Sequence, residues 1–155
     1  MEFKEIINGF AQKFGIEGLA PNDEGSVKLE IDGMAVELLH DADAGNVLIC
    51  AEIGEPPPEG EIHFAEMLLR ANFLFQGTGG ATFAQNPESK AYALIRPFAL
   101  ASLDVEDFCT HVGEFADGLE RWRQILADFR EVSESVSDDD STGFNPLVGN
   151  GFMSV

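Results

Sequence analysis

The sequence predicts an α+β fold in the order α-β-β-β-α-β-β-α, with an antiparallel twisted sheet packed against helices. Three observations predict it. Apolar residues recur at helical spacing near the start, middle and end of the chain. A period of two fills the stretch after the first helix, and hairpin or turn residues stand at the joints. With 155 residues the chain is one ordinary domain, long enough to bury a real core.

The elements follow in order. Phe3, Ile6, Ile7, Phe10 and Phe14 lie on one stripe of a helix over 2–14 that ends near Gly15. Val27, Leu29 and Ile31 then alternate with Lys28 and Glu30, Asp32-Gly33 is a strong hairpin dipeptide, and Met34, Val36 and Leu38 continue the alternation. With a further strand over 47–53, residues 25–53 read as a three-stranded meander. GEPPPEG (54–60) is a stiff connector, because consecutive prolines lack donors and restrict their predecessors. The helix expected over 61–75 is apolar nearly all round and must be covered on both sides. The sheet covers one side; a second copy of the chain is the simplest cover for the other. GTGG (77–80) is a turn, two short strands follow near 81–86 and 90–96, and Asp104 caps a last helix over about 105–130.

Residues 131–142 carry five acids and no base, which reads as a disordered tail, and the final GFNPLVGNGFMSV turns apolar again. The expected organisation is therefore a domain over 1–130 and an acidic tail over 131–155 with an apolar end. The formal net charge is -19, and without the tail 23 acids still face nine bases, so the acidity belongs to the fold. That balance argues against nucleic acid and against anionic membranes as partners. It favours solubility for a protein that exposes apolar surface. Cys50 and Cys109 have no paired spacing and read as small hydrophobes in a reducing cytoplasm. No secretory leader and no membrane-length apolar run is expected.

The search for chemistry yields no catalytic residue, no metal ligand set and no cofactor site. His40, His63 and His111 fall on different elements, and Cys109 and His111 point to different helix faces. His63 and Glu66 form one i,i+3 pair, but no second pair completes a four-ligand site. Asp41, Asp43 and Glu52 fit part of a calcium-loop spacing, yet Asn46 stands where that loop requires glycine. GTGG lacks the following Lys-Ser/Thr of a phosphate loop. The chain is not expected to be an enzyme.

The element order, FAEMLLRANFLFQGTGGATFAQNPESKAYALIRPFAL (64–100), VGEFADGLERWRQIL (112–126) and GSVKLEIDGMAVELL (25–39) together resemble class I type III secretion chaperones of the Tir-chaperone type. The likeness covers about residues 3–130. It implies a small acidic bacterial cytoplasmic homodimer that binds the N-terminal segment of a secreted effector and keeps it extended for export, without ATP. By that resemblance the second helix builds the dimer, through Phe64, Leu68, Leu69, Ala71, Phe73 and Phe75. The effector groove would draw on Phe3, Phe10, Val27, Leu29, Val36 and Leu38, and the apolar tail would shield it when empty. A non-catalytic regulatory module on the same dimeric scaffold is the alternative.

Overall fold

The first helix forms where its spacing predicts: α1 (Phe3–Phe14) turns Phe3, Ile6, Ile7 and Phe10 inward. Its start is closed reciprocally, with the Glu2 N–H donating to the Glu5 carboxylate at 2.9 Å while the Glu2 side chain accepts the Glu5 N–H. It stops at Gly15, whose φ of 65° is left-handed and whose N–H bonds back to Ala11 and Gln12 carbonyls. The structure, a computed structural model, describes residues 1–139.

β1 (Ser26–Ile31), β2 (Met34–Asp41) and β3 (Asn46–Gly54) follow as the expected meander, turned at Asp32-Gly33. β4 (Thr82–Gln85) and β5 (Tyr92–Ala99) complete one antiparallel sheet of order β1-β2-β3-β5-β4. β5 runs past the expected end and through Pro97, which pairs with Leu48 of β3. Its other side is free there, because β4 reaches only as far as the Thr82–Ile95 pair, so the missing N–H costs no ladder bond.

Val27, Val36, Leu38, Val47, Ile49, Ala51 and Leu94 point to one face of the sheet and are buried with α1 and α3 (Val105–Asp139) over them. Phe10 of α1 meets Phe108 of α3 edge-on at 5.7 Å, and Phe83 of β4 meets Trp122 of α3 at 4.7 Å. Asp104 caps α3 as expected, accepting the Asp107 N–H at 2.8 Å. The helix does not end near 130, however. It runs to Asp139, since no glycine or proline stands between Gly118 and Gly143. The acid run marks solvent exposure there, not loss of helix. The remainder of the expected tail, with its apolar end, lies outside the described residues.

α2 (Glu61–Asn72) is shorter than expected, because Leu74 and Phe75 take left-handed backbone at φ 53° and 57°. What ends it is Asn72. Its Oδ1 accepts the Phe83 N–H at 2.8 Å, and its Nδ2 donates to the Phe83 carbonyl at 3.2 Å. One side-chain amide thus takes the place of a neighbouring strand on the outer edge of β4. Asn72→Ala should therefore lower stability by about 2 kcal/mol, from two lost bonds and two part-buried groups left unmatched. Denaturant titration measures this, and a change below the error of the titration would contradict the edge-closing role.

Candidate functional site

Two surfaces stand out. The first is the outer side of α2. Phe64 is 0% exposed, between Tyr92 at 5.7 Å and Phe129 at 5.1 Å, and Leu68 is also buried. Both were expected at a subunit interface, and both instead belong to the protomer's own core. The reason is helical phase: residues four apart share a side of the helix, and that side faces the sheet edge. Ala71 is half-buried against Gly77, where an added Cβ would come within 2.8 Å of the Ala71 Cβ. Leu69, Phe73 and Phe75 do face outward, joined by Ile62 and Leu74, which sequence reasoning did not single out. A hollow of about 190 Å³ lies beside them between α2 and β4, lined by Ala65, Leu68, Leu69, Phe83 and Tyr92.

The second surface is the face of the sheet that α1 and α3 leave open. Of the six residues expected to line an effector groove, Phe3, Phe10, Val27, Val36 and Leu38 are buried core, and Leu29 packs against that core. They occupy the covered face because alternation sends every second residue there. Their neighbours in sequence take the open face. Cross-strand pairing aligns Leu39, Leu48 and Pro97 in one row and Glu37, Cys50, Ile95 and Thr82 in the next. A shallow hollow of about 350 Å³ sits here over Ala35, Glu37, Cys50, Glu52 and Ala93. The unused signal was the unbroken apolar run Val47-Leu48-Ile49-Cys50-Ala51, since a strand apolar in both phases offers something to both faces. β1 bounds this face as an edge strand, paired on the β2 side alone.

Charge around the open face is mostly negative. Glu37 accepts a bond from Ser26 at 2.9 Å, and Glu52 accepts from Ser89 at 2.9 Å and Asn86 at 3.3 Å. Glu52 therefore ties the loop after β4 to β3, and Asp41 accepts the Ala44 N–H of its own turn at 3.1 Å. These two carboxylates, taken from the calcium-like spacing, have separate structural partners. Burial raises the Cys50 thiol above its ordinary value, with Glu37 and Glu52 adding to the effect, so it stays protonated. Burial likewise raises Cys109.

The histidines are dispersed. His40 stacks on Phe3 at 5.0 Å, His63 is exposed on α2, and His111 stacks on Phe98 at 4.6 Å. Glu114 lies 3.3 Å from His111 Nδ1 and accepts from Arg96 at 3.2 Å; these partners hold its carboxyl below the usual range. GTGG is a packing device, for Trp122 Nε1 donates to the Gly77 carbonyl at 3.1 Å. Among the described residues, no group of three or more His, Cys, Asp or Glu could hold a metal. Among those residues, too, no helix is long and apolar enough to cross a membrane.

Comparison with known proteins gives a consistent result. The sequence model of the Tir chaperone protein (CesT) family matches residues 5–123. A chain of the HopA1-SchA chaperone-effector complex superposes with a TM-score of 0.64 at 19% identity, covering 83% of this chain and 93% of that one. A chain of the ExsC-ExsE complex gives 0.70 at 22% identity, covering 79% and 92%. The structure of the Yersinia pestis type III secretion chaperone SycH with a stable fragment of YscM2 gives 0.62 at 15%, covering 78% and 99%. No curated protein matches by sequence. At these identities the superpositions speak for the fold, and they reproduce its α+β order and open antiparallel sheet.

Proposed function

The chain belongs to the Tir chaperone protein (CesT) family, and from that premise we propose that it is a type III secretion chaperone. It binds the N-terminal segment of a secreted effector, keeps it soluble and extended, and works as a homodimer in the bacterial cytoplasm. It acts by binding, without catalysis or a cofactor. The observation that carries this reading is the sheet, covered by helices on one face only. The other face offers an apolar row, Leu39-Leu48-Pro97, with Cys50 and Ile95 beside it, and ends at an unpaired strand edge.

An extended chain is what such a surface can hold. Main-chain groups of a peptide pair with the β1 edge, while alternate side chains settle on the apolar rows. The acids Glu30, Glu37 and Glu52 outnumber Lys28 and Arg123 around this face, which favours a client segment that mixes basic and apolar residues. Two of the similar structures, a chaperone-effector complex and a secretion chaperone in complex with a stable fragment, support the assignment. The chaperone domain includes the whole of α3, which runs unbroken across 130 to Asp139.

Co-purification from the native bacterium followed by limited proteolysis tests the reading. One secreted protein should be recovered, protected over a segment near its N-terminus. Leu48→Glu should weaken that complex roughly 10- to 100-fold, given about 1.5–3 kcal/mol for one buried leucine, and leave the fold intact. Recovery of a folded cytosolic partner alone would move the assignment to a regulatory module.

A further inference from the structure

The sheet splits between its second and third strands. β2 and β3 pair from Asp41–Asn46 only as far as Glu37–Cys50, and the next pair in that register, Ala35 with Glu52, is not formed. The two-residue turn at Asp32-Gly33 makes Ile31–Met34 a hydrogen-bonded pair, so Val36, Leu38 and His40 direct their main-chain groups to β1. The His40 N–H, donating to the Gly25 carbonyl at 3.0 Å, keeps that phase. Ala35 therefore turns its N–H and carbonyl the other way, toward the place that Glu52 has left.

The end of β3 is held elsewhere. The strand bulges between Glu52 and Gly54, where Leu126 of α3 packs so closely that an added Cβ would come within 2.8 Å of it. Arg123 takes the freed carbonyl: its Nε and Nη2 both donate to the Glu52 oxygen, at 3.2 and 2.9 Å. A guanidinium from α3 thus stands in for the missing strand on the β3 side. Ala35, on the β2 side, opens instead onto the hollow of about 350 Å³. That hollow passes through the plane of the sheet. Its lining includes Leu29, Val36 and Ala51, which belong to the covered face, and Arg123 from the helix over that face.

The tip of the β1–β2 hairpin is accordingly a two-stranded ribbon with both sides unpaired. Glu30 and Ala35 face each other across it. Glu30 turns its main-chain groups to the outer edge of β1, and Ala35 turns its own into the gap. An unpaired strand edge is a template for another chain. Lys28 and Arg123 balance Glu37 and Glu52 around the gap, so it selects for no charge and suits a neutral main chain. We infer that this gap is a second docking point for the client's extended segment, whose main chain pairs with Ala35 while Arg123 holds Glu52 aside. The inference rests on the chaperone reading above and adds a contact inside the sheet to the one at its edge.

Amide exchange read by NMR on the full chain gives the first test. In the free chain the Ala35 and Glu52 amides should exchange far faster than those of Glu37 and Cys50, which the ladder holds. The probe is the protease-protected segment recovered by the co-purification above, made as a labelled peptide. Its binding should slow the Ala35 amide at least tenfold. Ala35→Pro removes that N–H without removing a ladder bond, as proline is tolerated where the N–H is unpaired. It should weaken the peptide roughly five- to tenfold, the worth of about one main-chain bond, without lowering the thermal midpoint. Glu30→Pro blocks the outer edge of β1 in the same way. If Glu30→Pro weakens the peptide and Ala35→Pro does not, the inference falls and docking at the edge stands. An Ala35 amide already slow in the free chain, whether closed by β3, by residues 140–155 or by a second copy, also overturns it. Should the proline lower the midpoint, exchange decides: protection of Ala35 by the peptide supports the gap, and its absence overturns it. A native bacterium that yields no secreted protein overturns both readings.

Discussion

Phe64→Ala is expected to lower the unfolding free energy by about 3–5 kcal/mol, among the largest effects of any single truncation in the chain. The ring is fully buried between Tyr92 and Phe129, so it joins α2 to the sheet and to the distal half of α3 at once. Removing it leaves a cavity whose walls come from three elements, none free to close it without moving the others. Denaturant titration at low protein concentration measures the loss, so that subunit dissociation does not contribute. Nearly unchanged protomer stability alongside a split dimer would mean that Phe64 is an interface residue after all.

Leu69→Asp should do the reverse. The side chain is 68% exposed in the protomer, so folding should change by less than about 0.5 kcal/mol. By two-fold symmetry the substitution removes two leucines from the contact and puts two carboxylates there. At about 1.5–3 kcal/mol for each leucine, the dimer weakens by roughly two to four orders of magnitude before repulsion is counted. Sedimentation across a dilution series reads the change. A dimer that survives the substitution would place the subunit contact elsewhere than on α2.

These two residues show how far the sequence could be read. Both stand in one over-apolar helix, and the surplus of apolar residues was visible without a structure. Which of them the sheet edge would take was not, because that depends on how α2 is rotated, and Asn72 sets the rotation by reaching across to Phe83. The same division holds in the sheet. Alternation marked Val27, Val36 and Leu38 as one set and identified their strands correctly. It could not say that α1 and α3 both cover this set while leaving Leu39, Leu48 and Ile95 open.

The α3 terminus is a different case. A run of acids is compatible with either a solvated coil or a solvated helix, and composition alone does not separate them. The helix persists to Asp139 without a breaker, with the Ser133 hydroxyl bonding the Phe129 carbonyl at 2.9 Å.

What the sequence determined by itself was local: three helices, five strands, the hairpin at Asp32-Gly33, the caps at Gly15 and Asp104, the acidity, and through their joint pattern the family. Such features follow from spacing and from backbone preferences of single residues, which act over a few positions. Tertiary structure alone decided which apolar residues remain outside. Burial is a contest between elements distant in sequence, and one extended strand or helix offers its neighbours more than one side to cover.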